Sequence, residues 1–296
     1  MLKITFLGTA GSTPTPTRNL PSISIEYDGS MFLFDCGEGT QRQMMLYNLN
    51  IFKLKAIFLT HLHGDHSIGV AGLVRTLALM RRTTPLYIYA PKGDERALKP
   101  LLEFDRALIG YEIKILPLKS GVTYKDKSFT ISAFKVKHTI DTYGLVFKEN
   151  DKIHFLKEKI RNSGLKGQMF QELLKKRKIT VRNRTIKLKD VTQVNYGKKV
   201  TYATDTRPLK SIIDAARNSN LLIYEATYAS SEKHLAKERF HSTAEEAATL
   251  ARASKSRNLI LTHVSARYKN PNMLLKEARR IFKNTEIARD GMTVNV

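Results

Sequence analysis

Residues 60–66 read "THLHGDH". Three imidazoles and a carboxylate, His61, His63, Asp65 and His66, fall within six residues of a chain that has only 8 histidines in all. Imidazole nitrogen and carboxylate oxygen are donors for zinc, and also for iron or manganese. Gly64 permits a tight turn, and in such a loop residues two apart can point the same way. The block therefore predicts a metal centre. A single turn supplies too few donors to close one, so the rest of the chain must provide the others and must also identify the substrate.

The turn follows "KAIFLT", a short apolar run bounded by polar residues, as expected of a buried strand that ends at a site. Upstream, "LKITFLG" is apolar and β-rich, and "SISIEYDGSMFLFDCG" carries two β-rich runs around "YDGS", a hairpin signal. Helical patterns follow near 66–82 and 93–104, and further strands are expected near 86–90, 112–116, 128–136 and 143–148. After residue 199 strands and helices alternate again. "KKVTYATD", "NLLIYEAT" and "RNLILTHVS" read as strands, and "STAEEAATLARA" (242–253) as a helix with a Ser/Thr cap and glutamates in its first turn. The two halves repeat one pattern, an apolar strand followed by polar ligand types. That predicts two packed sheets with helices outside and a site along one shared edge. No repeat of solenoid period is present.

The length of 296 residues suffices for one large core or two, and 42% hydrophobic content is ordinary for a globular protein. No run of about 18 apolar residues occurs, so no membrane span is expected. The start reads as a first strand and turn and not as a signal peptide. Cys36 is the single cysteine. It excludes an intramolecular disulfide, fits a reducing cytoplasmic setting, and reads as a small core residue. The charge is more telling. Fifty Lys plus Arg against 27 Asp plus Glu give a net +23, a field that attracts polyanions. From Lys148 to Lys199 there are 16 basic and 5 acidic residues, a net +11, so nearly half the excess lies in about a sixth of the chain. This stretch reads as an inserted basic arm over 150–197, between catalytic-core segments 1–149 and 198–296.

The block at 61–66 resembles the H-x-H-x-D-H signature of the metallo-β-lactamase superfamily. The resemblance implies an α/β fold of four layers, αββα, and a dinuclear site whose remaining ligands stand at later strand ends. Here those are His138 in "FKVKHT", Asp205 in "VTYATDT" and His263 in "LILTHVS". By that resemblance His61, His63 and His138 hold one metal, Asp65, His66 and His263 the other, and Asp205 bridges them. Two Zn²⁺ per subunit are implied, with Mn²⁺ as a substitute. Asp35 in "FLFDCG" matches a family position that supports the metal loop by hydrogen bonding. Two divalent ions close together polarise an electrophile and lower the pKa of a bound water. That chemistry serves a phosphodiester, a thioester or a β-lactam, and the ligands alone do not choose among them.

Further blocks resemble ribonuclease Z, the endonuclease family that removes the 3′ trailer of precursor tRNA. They are "FDCGEGTQRQ" (34–43), "YEAT" (224–227) against H-E-A-T, "HST" (241–243), and "LTHVSARY" (261–268) against H-x-S-x-R-Y. The resemblance gives His241 the role of general acid toward the departing alkoxide, with Glu225 orienting it, and lets Asp65 take a proton from the attacking water. It places a tRNA-gripping arm between His138 and Asp205, where 150–197 lies, and implies phosphate contacts from Lys166, Lys175, Lys176, Arg177 and Lys178. Arg18, Asn19 and Arg267 are further RNA-contact candidates. Family members of this length pair as homodimers, and the apolar helix expected over 70–82 is a candidate contact. Two departures stand out. Gly167 is followed by Gln168 where the family arm carries Gly-Pro, and Pro16 replaces a lysine in "PTPTRN", a loop linked to handling of the CCA end. The alternatives are another hydrolase of this fold (a 3′ exoribonuclease, phosphodiesterase or thioesterase) and an inactive RNA-binding protein. A thioesterase predicts no basic insert, and an inactive protein predicts missing ligands.

Overall fold

The computed structural model describes residues 1–103 and 109–296. They fall into two compact units, one formed by Met1–Lys148 with Lys198–Val296 and the other by Glu149–Gly197.

The larger unit contains two seven-stranded sheets. The first has the order Thr293–Asn295, Lys3–Gly8, Ser22–Tyr27, Ser30–Phe34, Leu54–Phe58, Leu86–Pro91, Ile113–Leu118. The second runs Thr285–Ile287, Leu259–Thr262, Leu221–Glu225, Lys199–Ala203, Tyr143–Glu149, Phe129–Lys135, Gly121–Lys125. Side chains alternate along each strand, so the apolar runs divide between two cores. Phe32, Phe34 and Phe58 join Phe129, Phe147, Tyr202 and Ile223 between the sheets. Met31, Leu33, Ile57 and Leu59 turn outward to meet Val70, Leu73, Val74 and Leu77 of the helix Gly69–Leu79. On the far side, Leu222, Tyr224 and Leu261 pack on the helices Lys210–Ala216, Ala244–Ala253 and Asn272–Ile281. The result is the helix–sheet–sheet–helix layering that the resemblance implied.

The expected elements are found, with local corrections. "YDGS" closes a hairpin in which Tyr27 pairs with Ser30, and Asp28 (φ 49°) and Gly29 (φ 75°) take the left-handed backbone of the turn. The helix expected near 66–82 is a short turn, Gly64–Ser67, followed by Gly69–Leu79. That expected over 93–104 is a 3₁₀ turn, Glu95–Ala97, then Leu98–Glu103, and residue 104 lies outside the described residues. Thr243 caps Ala244–Ala253 with a full capping box to Glu246. Cys36 is fully buried, and burial pushes its thiol up to about 12.

What positions the site is strand direction. Ser30–Phe34 and Leu54–Phe58 run parallel, as do Lys199–Ala203, Leu221–Glu225 and Leu259–Thr262. Asp35, the 61–66 turn, Asp205 and His263 all follow the carboxyl ends of these strands, and Glu225 is the last residue of its own, the edge at which open parallel sheets bind ligands. The layers approach closely there. A Cβ on Gly69 would sit 1.9 Å from the carbonyl oxygen of Gly37, so the helix bearing Gly69 can lie against the 35–37 segment only without a side chain.

The smaller unit has its own core. Leu165, Leu173, Ile179, Val181, Leu188 and Val191 are buried together. Two antiparallel ladders, Lys152–Phe155 with Thr192–Asn195 and Lys178–Val181 with Arg184–Lys187, frame the helix Met169–Lys176. Arg177 (φ 62°) ends that helix in the left-handed conformation.

Candidate metal centre

His61 and His66 are fully buried and His63 and Asp65 partly so, at the end of the strand Leu54–Phe58. Their donor atoms converge with those of the later strand ends into three overlapping groups: His61, His63, His138 with Asp205; Asp65, His66 with His263; and Asp205 and His263 with His241. In the first, His63 Nδ1 is 3.1 Å from His61 Nε2 and 3.3 Å from His138 Nε2. In the second, His66 Nε2 and His263 Nε2 are 3.4 Å apart, and Asp65 Oδ2 is 3.5 and 3.6 Å from them. Asp205 spans both. Its Oδ2 faces His61 (3.7 Å) and His138 (3.8 Å), while its Oδ1 faces His66 and His263, each at 3.2 Å. Tetrahedral zinc with bonds of about 2.0–2.1 Å would set neighbouring donors about 3.3 Å apart, so this nitrogen–oxygen set fits a pair of such cations.

The far nitrogens of His61, His66, His138 and His263 are held as well, the arrangement that orients metal-ligating histidines. His61 Nδ1 meets Thr60 Oγ1 at 3.0 Å, His66 Nδ1 meets Asp35 Oδ2 at 2.8 Å, His138 Nδ1 meets the Phe240 carbonyl at 3.3 Å, and His263 Nδ1 meets Thr227 Oγ1 at 2.9 Å. Asp35 also accepts from Thr60 N (2.8 Å) and from the hydroxyl of Tyr202 (2.9 Å), which crosses from the other sheet. Three of these residues, Asp35, Asp205 and His263, have positive φ, of 60°, 49° and 55°. Left-handed backbone at residues other than glycine is strained and clusters at functional sites. Gly11 makes room for one of them, since a Cβ there would lie 2.7 Å from His263 Nδ1.

The electrostatics follow from burial beside opposite charge. Burial alone would push Asp205 and Asp65 up, but His263 and His66 outweigh it and hold both below the usual carboxylate range. Burial, reinforced by neighbouring imidazoles, drives His61 down and keeps it neutral, the form that ligates. The ring of His241 stands beside His138 and His263, with centroids 5.1 and 5.4 Å away. Its Nδ1 is 3.2 Å from Glu225 Oε1. Burial opposes its charged form, yet the charge of Glu225 and this hydrogen bond raise His241 to about 9. Glu225 is itself fully buried and accepts from Thr206 N (2.6 Å), Ser242 N (3.0 Å) and Thr227 Oγ1 (2.5 Å).

The remaining expected residues lie elsewhere. Arg18 Nη1 donates to Thr9 Oγ1 and the Ala288 carbonyl, and Asn19 donates its backbone N–H to Asp290 and its amide to the Glu38 carbonyl. Both brace the 9–19 loop, whose Ser12 N–H reaches Asp65 Oδ2 at 3.0 Å. Arg267 pairs with Glu232 and lies over the Tyr228 ring. Lys166, Lys175, Lys176, Arg177 and Lys178 are all exposed on the smaller unit. Several site residues went unread in the sequence. Thr60 stands next to His61 and Thr227 two residues from Glu225, and their position could have suggested a supporting role. Tyr202, in an apolar strand, gave no local signal, because its partner Asp35 is 167 residues away in the chain.

The layered fold and the converging donor cluster are those of a metallo-β-lactamase-fold protein. Residues 2–181 match the family model described as Anti-Pycsar protein Apyc1. Ribonuclease Z of Archaeoglobus fulgidus is 40% identical, covering 100% of this chain and 98% of its own, and that of Methanothermobacter thermautotrophicus is 37% identical over 100% and 97%. The crystal structure of human tRNase Z, short form, superposes with a TM-score of 0.72 at 26% identity, covering 99% of each chain. YhfI of Bacillus subtilis, at 19% identity and a TM-score of 0.73, shares the fold. The chain belongs to the ribonuclease Z family and is an endoribonuclease, a hydrolase of phosphodiester bonds.

Proposed function

We propose that this enzyme removes the 3′ trailer of precursor tRNA, leaving a 3′-hydroxyl, with two Zn²⁺ per subunit and Mn²⁺ able to substitute. The observation that carries the reading is Asp205, whose two oxygens face two separate donor groups. His61, His63 and His138 would hold one ion, Asp65, His66 and His263 the other, with Asp205 shared. When bound, such a pair polarises the scissile phosphate and acidifies the attacking water. Asp65, fixed by Ser12, takes that water's proton. His241 is charged through Glu225 and gives a proton to the departing 3′-oxygen, so the product leaves as a hydroxyl and not an alkoxide. Arg207 donates to the His241 carbonyl and pairs with Glu246 at 2.6 Å, which fixes where that proton is offered.

The basic insert is the tRNA-binding arm in this reading, gripping phosphates through Lys166, Lys175, Lys176, Arg177 and Lys178. The enzyme works as a homodimer in the cytoplasm. The apolar face of the helix Gly69–Leu79 is buried in the chain's own core, and what supports pairing is the exposure of Ile68 (50%), Leu79 (84%) and Met80 (44%) at its ends. The test is a 3′-extended tRNA transcript incubated with and without a chelator, with the new ends mapped. A cut 3′ of the discriminator base, lost on chelation and in Asp65→Ala, is expected. Intact RNA in Zn²⁺ and Mn²⁺ alongside turnover of a small thioester overturns the proposal. Deleting residues 155–190 should weaken tRNA binding while sparing hydrolysis of a small phosphodiester, and sedimentation of the intact enzyme tests the dimer.

A further inference from the structure

The smaller unit contains a concavity of about 540 Å³ whose floor and rim differ in chemistry. Ile153, Leu188 and Val194 are its apolar lining, with Thr192 beside them, and are taken as the floor. Ile153 and Val194 are cross-strand partners, and Val194 is 39% exposed, an apolar surface left open to solvent. Leu188 is held under the helix end by its N–H, which donates to the Arg177 carbonyl at 2.8 Å. Five cations share the lining, Lys176, Arg177, Lys178, Lys187 and Lys189, of which Lys176 is paired with Glu172 at 2.7 Å, and they are taken as the rim. The left-handed backbone of Arg177 turns the chain at the helix end, between Lys176 and Lys178 of the same rim.

A site for phosphate alone would be lined by donors throughout. Here three of the lining side chains are apolar and the one hydroxyl, that of Thr192, is spent on the Leu188 carbonyl at 2.7 Å, and an apolar surface in water is stabilised by covering it with something flat and apolar. The rim requires that the same ligand carry negative charge on its flanks. A nucleotide in a single-stranded or bulged segment has both properties, a base with an apolar face and phosphates on either side, and the guanidinium plane of Arg177 is a stacking surface of the right kind. The volume lies within the ordinary range for ligand cavities, about 300–1,000 Å³.

We propose that this concavity seats one unstacked nucleobase of the RNA substrate, with the rim cations on the phosphates flanking it. The inference rests on the reading of the insert as RNA-binding and adds base-sized recognition to contact with the backbone. It is tested on the full-length enzyme by measuring affinity over a series of salt concentrations for two probes, a 3′-extended tRNA transcript and a perfect RNA duplex of equal length without unpaired bases. The variants are Ile153→Thr with Val194→Thr, which keep strand-forming shapes but wet the floor, and Lys187→Ala with Lys189→Ala. The floor variant should bind the transcript about five- to tenfold more weakly, bind the duplex as wild type does, and keep the wild-type salt slope. The rim variant should weaken both probes and flatten the slope by up to about 2. A floor variant that loses affinity for both probes equally, or for neither, overturns the inference. If the rim variant also binds both as wild type does, the RNA-binding reading of the insert falls with it. Thermal melting followed by circular dichroism checks folding. Val194→Thr alone changes a side chain already partly exposed and should show a smaller loss of the same selectivity, and its absence also counts against the inference.

Discussion

Asp35→Asn is the sharpest test of how the fold holds the metal centre. Asp35 is fully buried, and its Oδ1 accepts from Thr60 N at 2.8 Å and Thr60 Oγ1 at 2.9 Å. The asparagine carbonyl can take over those bonds. Its amide then replaces Oδ2, which now meets His66 Nδ1 at 2.8 Å and the Tyr202 hydroxyl at 2.9 Å. Two donors face a new donor. The Tyr202 hydroxyl can rotate and accept. His66 can accept only by moving its proton to Nε2, the atom that stands 3.2 Å from Asp205 and 3.5 Å from Asp65 and that would bind the cation. An Asp-to-Asn change behind a functional histidine traps the wrong tautomer in the same way with little change of geometry. Loss of charge-assisted bonds at about 1.5–3 kcal/mol each, partly recovered by Tyr202, predicts about 2–4 kcal/mol of destabilisation without metal. Affinity for one equivalent of Zn²⁺ should fall about 10–100-fold. Urea unfolding in chelator measures the first, and titration of the metal-free protein against a chromogenic chelator resolves the two equivalents. Tyr202→Phe is the control. It removes one donor, costs about 1.5 kcal/mol, and leaves the His66 tautomer alone, so both equivalents bind as in wild type. If Asp35→Asn binds both equivalents with wild-type affinity, the account of His66 is wrong.

Gly11→Ala should lower turnover far more than thermal stability, because the new methyl lies 2.7 Å from His263 Nδ1 and must displace that ring; a normal kcat with a lowered melting temperature would contradict this. Glu225→Gln removes the charge that raises His241. His241 donates a proton only while charged, a state present at low pH and lost as pH rises through its pKa, so the alkaline limb of kcat should move to lower pH, and an unmoved limb would show that His241 is not the acid. Arg82 is 3% exposed and donates to the Leu54, Thr84 and Pro85 carbonyls at 2.7, 2.7 and 2.8 Å. Arg82→Met should therefore cost about 2–4 kcal/mol in urea unfolding with little change in kcat, and a change in kcat at full folding would tie this loop to the site.

Much of the fold was legible because of how parallel strands are buried. Strands covered on both faces read as unbroken apolar runs, such as "KAIFLT" and "LILT", and the polar residues that interrupt them at the carboxyl end are those of the site. What escaped had weak local pattern. The helix Thr40–Leu46 follows Gly39 (φ 76°), has no side-chain cap, and buries only Thr40, Gln43 and Met44. The helix Asn272–Ile281 buries only Leu274 and Ala278, and the strand Thr293–Asn295 is three residues paired with the first strand of the chain, a contact no local window contains. At the site the donors could be read, and Asp35 and Glu225 were read behind them through the resemblance, but the anchors Thr60, Thr227 and Tyr202 were not. His61 and His66 announce themselves by type and spacing, whereas Tyr202 is one more apolar-strand residue until the second sheet is folded against the first.

The charge arrangement links those anchors to the substrate. The chain carries +23 overall, yet its most buried polar cluster contains Asp35, Asp205 and Glu225, with Asp65 at its rim. Carboxylates buried together are costly unless cations or aligned donors meet them. Asp35 and Glu225 are each met by several hydrogen-bond donors, whereas Asp205 and Asp65 each accept one, from Thr204 and Ser12, and otherwise face imidazole nitrogens at 3.2–3.8 Å, a spacing that leaves room for ions between them. An outer field that draws in a polyanion and an inner pocket that demands cations are separate requirements, and a phosphodiester backbone is the substrate that satisfies both. A thioesterase needs the pocket without the field, and an RNA-binding protein needs the field without the pocket. The carboxylates that favour metal and the lysines and arginines that favour RNA therefore argue together for a nuclease, although the insert that concentrates the positive charge shares no residue with the metal centre.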